Sequence, residues 1–146
     1  TFIFEDTAAN NGDDEISSFT QGVDKLDFTA FTSADAPNSE LADDSTGDVS
    51  FADGDILLVD DRGDAGSTTD GTIAGYFGGG GSVFESIEAN EDVVLANRNS
   101  GDTELFYVED GGDGSVSASD VTQVATLDTM SALTDANIVD DGFFGG

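Results

Sequence analysis

Carboxylates interspersed with glycine are the residues of this chain best suited to chemistry, because together they form the oxygen-rich loops that bind Ca²⁺. The clearest case is residues 109–120, EDGGDGSVSASD. If Gly114 is the glycine at the sixth position of a 12-residue Ca²⁺ loop, Asp113 takes position 5 and Asp120 takes position 12. The preceding apolar residues predict a strand, so we expect a Ca²⁺ loop on β structure, with a solvated acidic turn as the alternative. The predicted ligands are Glu109, Asp110, Asp113 and Asp120.

Two further acidic clusters are candidate cation sites. One follows an apolar run and surrounds Arg62, and its like charges require either this arginine or a bound ion to compensate them. The other occupies a predicted hairpin loop after the first strand. The predicted ligands are Asp60, Asp61 and Asp64 in the first cluster, and Asp13 and Asp14 in the second, which also contains Asp6, Asn10 and Asn11. Residues 62–64 spell the cell-attachment tripeptide Arg-Gly-Asp, which we interpret as accidental in a chain so rich in Gly and Asp.

Charge and composition exclude several classes of function. The 146 residues include 32 Asp plus Glu but only 3 Lys plus Arg, which gives a net charge of −29. Binding to nucleic acid or to an anionic membrane needs a basic surface, so neither partner is expected. The chain has no His and no Cys, which removes imidazole bases, thiolate nucleophiles, zinc fingers and disulfides. A carboxylate pair carries no specificity among 32 acids, and we predict that the protein is not an enzyme.

The excess of aspartate over glutamate favours loops rather than helices. The chain has 24 Asp and 8 Glu, and Asp prefers turns and caps. Self-repulsion of this size destabilises a compact state unless salt or bound cations screen it. Ca²⁺ as a cofactor is therefore the leading prediction. The alternative is halophilic solvation, in which carboxylates hold no specific ion.

The elements that must position these residues are predicted to be short strands. Brief apolar runs recur between clusters of Gly, Asp, Asn and Ser, which predicts an all-β single domain over residues 1–146, either a β-sandwich or a β-roll. A long surface loop is predicted at residues 32–48, and short helical turns are predicted at 117–120 and 134–138. The ten predicted strands are Thr1–Glu5, Glu15–Phe19, Lys25–Phe28, Val49–Phe51, Asp55–Asp60, Thr72–Phe77, Val83–Ile87, Asp92–Ala96, Glu104–Val108 and Gln123–Leu127.

Other sequence features concern the core, the turns and cellular targeting. Most of the 11 Phe fall on predicted strands, so we assign them to the core. The dipeptides Asn11-Gly12, Asp53-Gly54 and Asp70-Gly71 favour tight reversals.

The longest apolar stretch is far shorter than the ~20 residues of a membrane span, so no membrane insertion is expected. No signal peptide opens the chain, which predicts a mature form, a fragment, or export without an N-terminal signal.

Three segments near the start of the chain resemble the region that follows the Ca²⁺ repeats of RTX (hemolysin-type calcium-binding) proteins. They are TFIFE at residues 1–5, DEISSF at 14–19 and GVDKLDFTAF at 22–31. Residues 92–96, 104–109, 113–114, 124–127 and 133–139 look like the C-terminal end of such proteins. The family's nonapeptide repeat is absent, because Val116 stands where the pattern has Asp, so no ligand is transferred from it.

The resemblance implies an exported, non-catalytic, Ca²⁺-dependent β module that leaves the cell by type I secretion. Together with the charge, it predicts an extracellular structural module of a bacterial surface, adhesin, S-layer or filament protein. Residues 1–5 and Phe143-Phe144 offer a strand and an aromatic anchor for association with further copies or surface-layer neighbours. The alternative is the C-terminal secretion and folding domain of a larger type I-secreted enzyme.

Overall fold

The computed structural model describes residues 1–20, 22–31, 39–42, 56–59, 69–78, 84, 86–87, 91–99, 101–110 and 112–128. Strands predominate among them, which confirms the prediction of a mainly-β fold. The strands are β1 (Phe2–Ile3), β2 (Asp14–Ile16), β3 (Leu26–Asp27), β4 (Ser39–Ala42), β5 (Ile56–Val59), β6 (Asp92–Asn99), β7 (Asp102–Glu109) and β8 (Val121–Leu127). The helical segments in the described ranges are α1 (Ala8–Asn11), α2 (Asp70–Ala74) and a 3₁₀ turn at Ala118–Asp120.

Most of the strands belong to one mixed central sheet. Its order is β2-β8-β7-β6-β5-β4. Strands β6, β7 and β8 form an antiparallel meander, whereas β2 adds to β8, and β5 and β4 add beyond β6, in parallel. Strands β1 and β3 form a separate parallel pair, in which Phe2 lies opposite Leu26.

The central sheet is apolar on both faces. In the β6–β7 pair, Val94 and its partner Tyr107 belong to one core cluster, whereas Val93 and its partner Val108 belong to the other. Because both faces are buried, these strands read as continuous apolar runs without polar alternation. We call residues 1–13, 17–20 and 22–31, which lie outside the central sheet, the N-terminal layer. It covers the first face with Phe4, Ala8, Phe19, Leu26 and Phe28, beside Ile16 of the edge strand β2. The second face is covered by Ile73, Ala74, Phe77, Phe84 and Ile87.

A β-bulge in β8 lets this strand contribute to both core clusters. Its pairing with β7 shifts between Leu105 and Phe106, and Val124 is the extra residue. Val121, before the shift, packs in the second cluster, whereas Val124 and Leu127 pack in the first. Since side chains alternate with a period of two, one extra residue transfers the rest of the strand to the other face.

The predicted strand at Thr72–Phe77 is wrong, because residues 70–74 form helix α2. Thr69 caps this helix, and its Oγ1 accepts a hydrogen bond from the Thr72 N–H at 3.3 Å. Ile73 and Ala74 of this helix are buried, as is Phe77 shortly after it ends. The expected reversal at Asp70-Gly71 is wrong for the same reason, since these residues open the helix.

Two more expectations are corrected at other elements. The loop predicted over residues 32–48 contains β4, which extends the sheet beside β5. The hairpin predicted around Asn11-Gly12 is wrong because α1 ends there, and the strands on either side, β1 and β2, pair with β3 and β8 instead of with each other. The helical turn predicted at 117–120 is confirmed. The predictions at Val49–Phe51, Asp53-Gly54 and residues 134–138 lie outside the described residues.

The phenylalanines assigned to the core largely occupy it. Phe4, Phe19, Phe28, Phe77 and Phe106 are all buried. Phe2 is 37% exposed, because it lies at the margin of the N-terminal layer, where its ring centroid is 6.0 Å from that of Phe19. In the parts of the chain that are described, no helix has the length and apolar character needed to cross a membrane.

Candidate functional site

Asp110 organises the loop that follows β7. The residue is buried, and its carboxylate accepts hydrogen bonds from the backbone N–H of Gly114 at 3.2 Å and from that of Asp113 at 3.3 Å. Its own N–H donates to the carbonyl oxygen of Glu91, just before β6. A buried carboxylate is tolerated when such donors replace its water. Asp110 therefore fixes the loop against the end of the β6–β7 pair.

Asp113 and Asp120 make equivalent local bonds. Asp113 Oδ1 accepts from the N–H of Ser115 at 3.0 Å and from its hydroxyl at 2.6 Å. Asp120 Oδ2 accepts from the N–H of Ser117 at 2.7 Å and from its hydroxyl at 2.6 Å, which completes a capping box at the start of the 3₁₀ turn. Both carboxylates thus satisfy donors of their own loop.

Glu109 is the fourth ligand predicted in this loop. It is the last residue of β7, is partly exposed, and lies opposite Asp92 in the β6–β7 pair. Across the described ranges, no group of three or more acidic residues is close enough to hold a metal ion. The described part of the 109–120 loop is therefore not a preassembled cation cage. Metal binding at its four acidic residues stays a prediction.

The other two predicted clusters are described only in part. Asp60, Asp61 and Asp64 lie outside the described residues. Asp13 follows Gly12, and Asp14 begins β2 opposite Ala125 in β8; both acidic side chains are exposed. Two other members of this cluster lie together, because the Asn10 side chain donates to Asp6 Oδ1 at 3.2 Å.

Asn11 has a structural role that the sequence analysis missed. Its Oδ1 accepts from the backbone N–H of Glu5 at 2.7 Å, and its Nδ2 donates to the carbonyl oxygens of Thr7 at 2.8 Å and Glu5 at 3.3 Å. One side chain thus ties the end of α1 back to the residues after β1. The only sequence signal was the position of an asparagine before a glycine, which is common in turns of many kinds.

Tyr107 joins the N-terminal layer to the central sheet. Its hydroxyl donates to the carbonyl oxygen of Glu5 at 2.9 Å, and its ring stacks on Phe31 with centroids 3.7 Å apart. Burial raises the pKa of the Tyr107 hydroxyl above its usual range; the Asn11 amide opposes this, and the carboxylates of Glu109, Asp6 and Glu5 add to it. Tyr107 and Asn11 therefore meet at the same backbone segment.

No protein-family model matches the chain, and no curated protein and no solved structure is significantly similar to it.

Proposed function

We propose that the chain is a Ca²⁺-stabilised structural module of an extracellular bacterial surface, adhesin, S-layer or filament protein. The observation that carries this proposal is the contrast between core and surface. Both faces of the central sheet bury apolar side chains, and Asp110 is the one buried acidic residue in the described ranges. The other acidic side chains whose burial is described are exposed or partly exposed, and in the sequence as a whole three cationic residues cannot compensate 32 acids.

Ca²⁺ would act on stability by mass action. A cation that binds the folded chain more tightly than the unfolded chain stabilises it by about 2.7 kcal/mol when its concentration is ~100 times its Kd. The proposal rests on the total charge and on the predicted clusters at residues 13–14, 60–64 and 109–120. It does not rest on a preformed cage, because Asp110, Asp113 and Asp120 already accept hydrogen bonds from their own loop.

The finer architecture belongs to the same proposal. Leu26 of the β1–β3 pair packs in the cluster on the first face of the central sheet, which favours a β-sandwich over a β-roll. The large apolar residues exposed in the described ranges all belong to the N-terminal layer: Phe2, Ile3 and Val23. Ile3 is 74% exposed and sits on β1, so association between copies would begin at this strand.

A thermal melt followed by circular dichroism tests the proposal. The chain is melted in EDTA at ~0.15 M salt, then with added Ca²⁺, and separately with concentrated KCl. We expect Ca²⁺ in the micromolar-to-millimolar range to raise Tm more than KCl of equal or higher ionic strength. Equal melting in EDTA and Ca²⁺ would refute specific cation binding, and rescue by KCl alone would favour halophilic solvation.

The association of copies is tested separately. Light scattering during size-exclusion chromatography gives the molar mass of the native chain and of the Ile3→Ser variant over a range of protein concentrations. We expect larger assemblies for the native chain only. Thr122→Ser is the control, because Thr122 is exposed on β8, away from β1. An unchanged mass distribution in Ile3→Ser would remove β1 from the proposal.

A further inference from the structure

Asn11 and Gly12 are the only Asn-Gly pair in the sequence. A glycine has no Cβ, so its backbone nitrogen can approach the side-chain carboxamide of the preceding residue. Attack of the Gly12 nitrogen on Asn11 Cγ forms a five-membered succinimide and releases ammonia. Water then opens this ring to aspartate or isoaspartate. The net change is the loss of an amide and the gain of one carboxylate.

The folded N-terminal layer holds this pair in an unreactive state. Asn11 is the last residue of α1, and the Gly12 N–H donates to the carbonyl oxygen of Ala8 at 3.3 Å. The Asn11 carboxamide is engaged by Glu5 on both its oxygen and its nitrogen, and its nitrogen also donates to Thr7. Ring closure requires the carboxamide to turn toward Gly12, so these side-chain bonds must first break.

The product does not fit the site that the asparagine leaves. In the native arrangement Asn11 Nδ2 donates to two carbonyl oxygens, those of Thr7 and Glu5. In the product, a carboxylate oxygen takes the place of Asn11 Nδ2. Because this oxygen can only accept hydrogen bonds, it repels the carbonyl oxygens of Thr7 and Glu5, to which the amide donated. An isoaspartate would also lengthen the backbone at the end of α1. The same Glu5 carbonyl accepts from Tyr107, so the disturbance reaches the contact between the layer and the sheet.

We propose that Asn11-Gly12 is a conformationally gated self-modification site. The closed N-terminal layer suppresses succinimide formation, opening of the layer permits it, and the carboxylate that results prevents the layer from closing again. The fraction of chains modified at Asn11 would therefore increase irreversibly with the time that the chain has spent with this layer open. This inference goes beyond the proposed function and does not require Ca²⁺.

The rate of modification tests the gating. The full chain is incubated in mildly alkaline buffer, once under conditions where circular dichroism reports the folded state and once in urea, and the peptide containing Asn11 is followed by mass spectrometry. We expect modification at least ~10-fold slower in the folded chain, since an opening free energy of only 1.4 kcal/mol has this effect. We expect Tyr107→Phe, which removes the hydroxyl bond to Glu5, to accelerate it in the folded state. Equal rates in the folded chain and in urea would overturn the gating.

A second experiment tests the effect of the product. Asn11→Asp reproduces the aspartate product, and Ser17→Asp is the control, because it adds the same negative charge at an exposed position of the same layer. Hydrogen exchange of the backbone amides in residues 1–31 is measured for both. We expect faster exchange in Asn11→Asp than in Ser17→Asp. Equal exchange in the two variants would overturn the claim that the product holds the layer open, and the rate experiment on the unmodified chain remains decisive if Asn11→Asp does not fold.

Discussion

Tyr107 concentrates several stabilising contacts in one buried side chain. Its ring is enclosed by Phe28 and Phe31, and its hydroxyl is the donor that satisfies the Glu5 carbonyl from the side of the sheet. A buried hydroxyl without an acceptor is costly, so the backbone at Glu5 must stay in place for the ring to stay buried. The position of the first few residues is thus coupled to a residue near the middle of β7.

Replacing Tyr107 with Phe should lower stability and change its pH dependence. The loss of one hydrogen bond with retained packing costs about 1 kcal/mol near neutral pH. Burial raises the pKa of the Tyr107 hydroxyl in the folded chain. The contribution of this hydroxyl to stability is therefore complete below its pKa in the unfolded chain, about 10, and is lost as the pH rises above that pKa. Urea denaturation at several pH values should therefore show an alkaline loss of stability in the native chain that is reduced in Tyr107→Phe.

Tyr76→Phe serves as the control, because it also removes one hydroxyl. Tyr76 is partly buried and donates to Asn97 Oδ1 at 3.5 Å, which is a longer bond than that of Tyr107. We expect a smaller loss of stability and an alkaline dependence close to that of the native chain. The same alkaline profile in the native chain and in Tyr107→Phe would show that Tyr107 does not cause the alkaline loss of stability.

At the scale of residues, contacts between near neighbours in the sequence were easier to predict than contacts between residues far apart in it. Asp120 with Ser117 three residues earlier has capping-box spacing, and the sequence alone identified this turn. The bond from Tyr107 to Glu5 joins residues 102 positions apart, and no local pattern encodes it. The same limit applies in part to Asp110: its carboxylate bonds lie within the local loop, but its backbone bond to Glu91 depends on the pairing of β6 with β7.

At the scale of elements, β8 shows how one extra residue lets a single strand contribute side chains to the core on both faces of the sheet. Val121 faces the cluster that contains α2, and Ala125 and Leu127 face the N-terminal layer. In a regular strand, residues 121, 125 and 127 would all share one face. The bulge at Val124 is therefore what allows β8 to support both layers.

Deleting Val124 should be far more damaging than shortening its side chain. Deletion removes the bulge and moves either Val121 or Leu127 to the wrong face, so we expect a loss above ~4 kcal/mol or no cooperative unfolding. Val124→Ala keeps the residue count and should cost about 1–3 kcal/mol for the cavity alone. Urea unfolding of the two variants provides the comparison. Similar losses would show that the bulge has no role in the register.

Helix α2 explains why one predicted strand was wrong. TIAGYF at residues 72–77 contains two β-branched residues and two aromatic residues, which favour strands. The structure instead buries Ile73 and Ala74 of α2, together with Phe77 beyond its end, against the second face of the sheet. The Thr69 cap is the local signal for this outcome, but the burial of that face is tertiary and overrides propensity. Strands β6 and β7 were predicted well, because burial on both faces leaves an uninterrupted apolar run in each, VVLA at residues 93–96 and LFYV at residues 105–108.

At the scale of the whole molecule, stability is a balance of two opposing contributions. Apolar burial on both faces of the central sheet stabilises the folded chain, and repulsion between its negative charges destabilises it. The core clusters contain residues from the N-terminal layer, the central sheet and α2, so they hold all three together. A net charge of −29 opposes this compact state, and salt reduces the opposition by screening exposed charges. The balance predicts that single surface charges influence stability even where they form no contact.

Reversing the charge of Glu15 tests this long-range repulsion. Glu15 is exposed in β2, opposite Thr126, and lies outside the predicted ligand sets. We expect Glu15→Lys to stabilise the chain by roughly 0.5 kcal/mol at ~0.01 M salt and by nearly nothing at ~1 M, where the Debye length is ~3 Å. Glu15→Gln is the matched control and should give about half the effect, because it changes one charge unit instead of two. If both variants had equal effects, or if the effect survived at high salt, a local change in packing or strand propensity would account for it, and the repulsion that Ca²⁺ is proposed to relieve would lose its support.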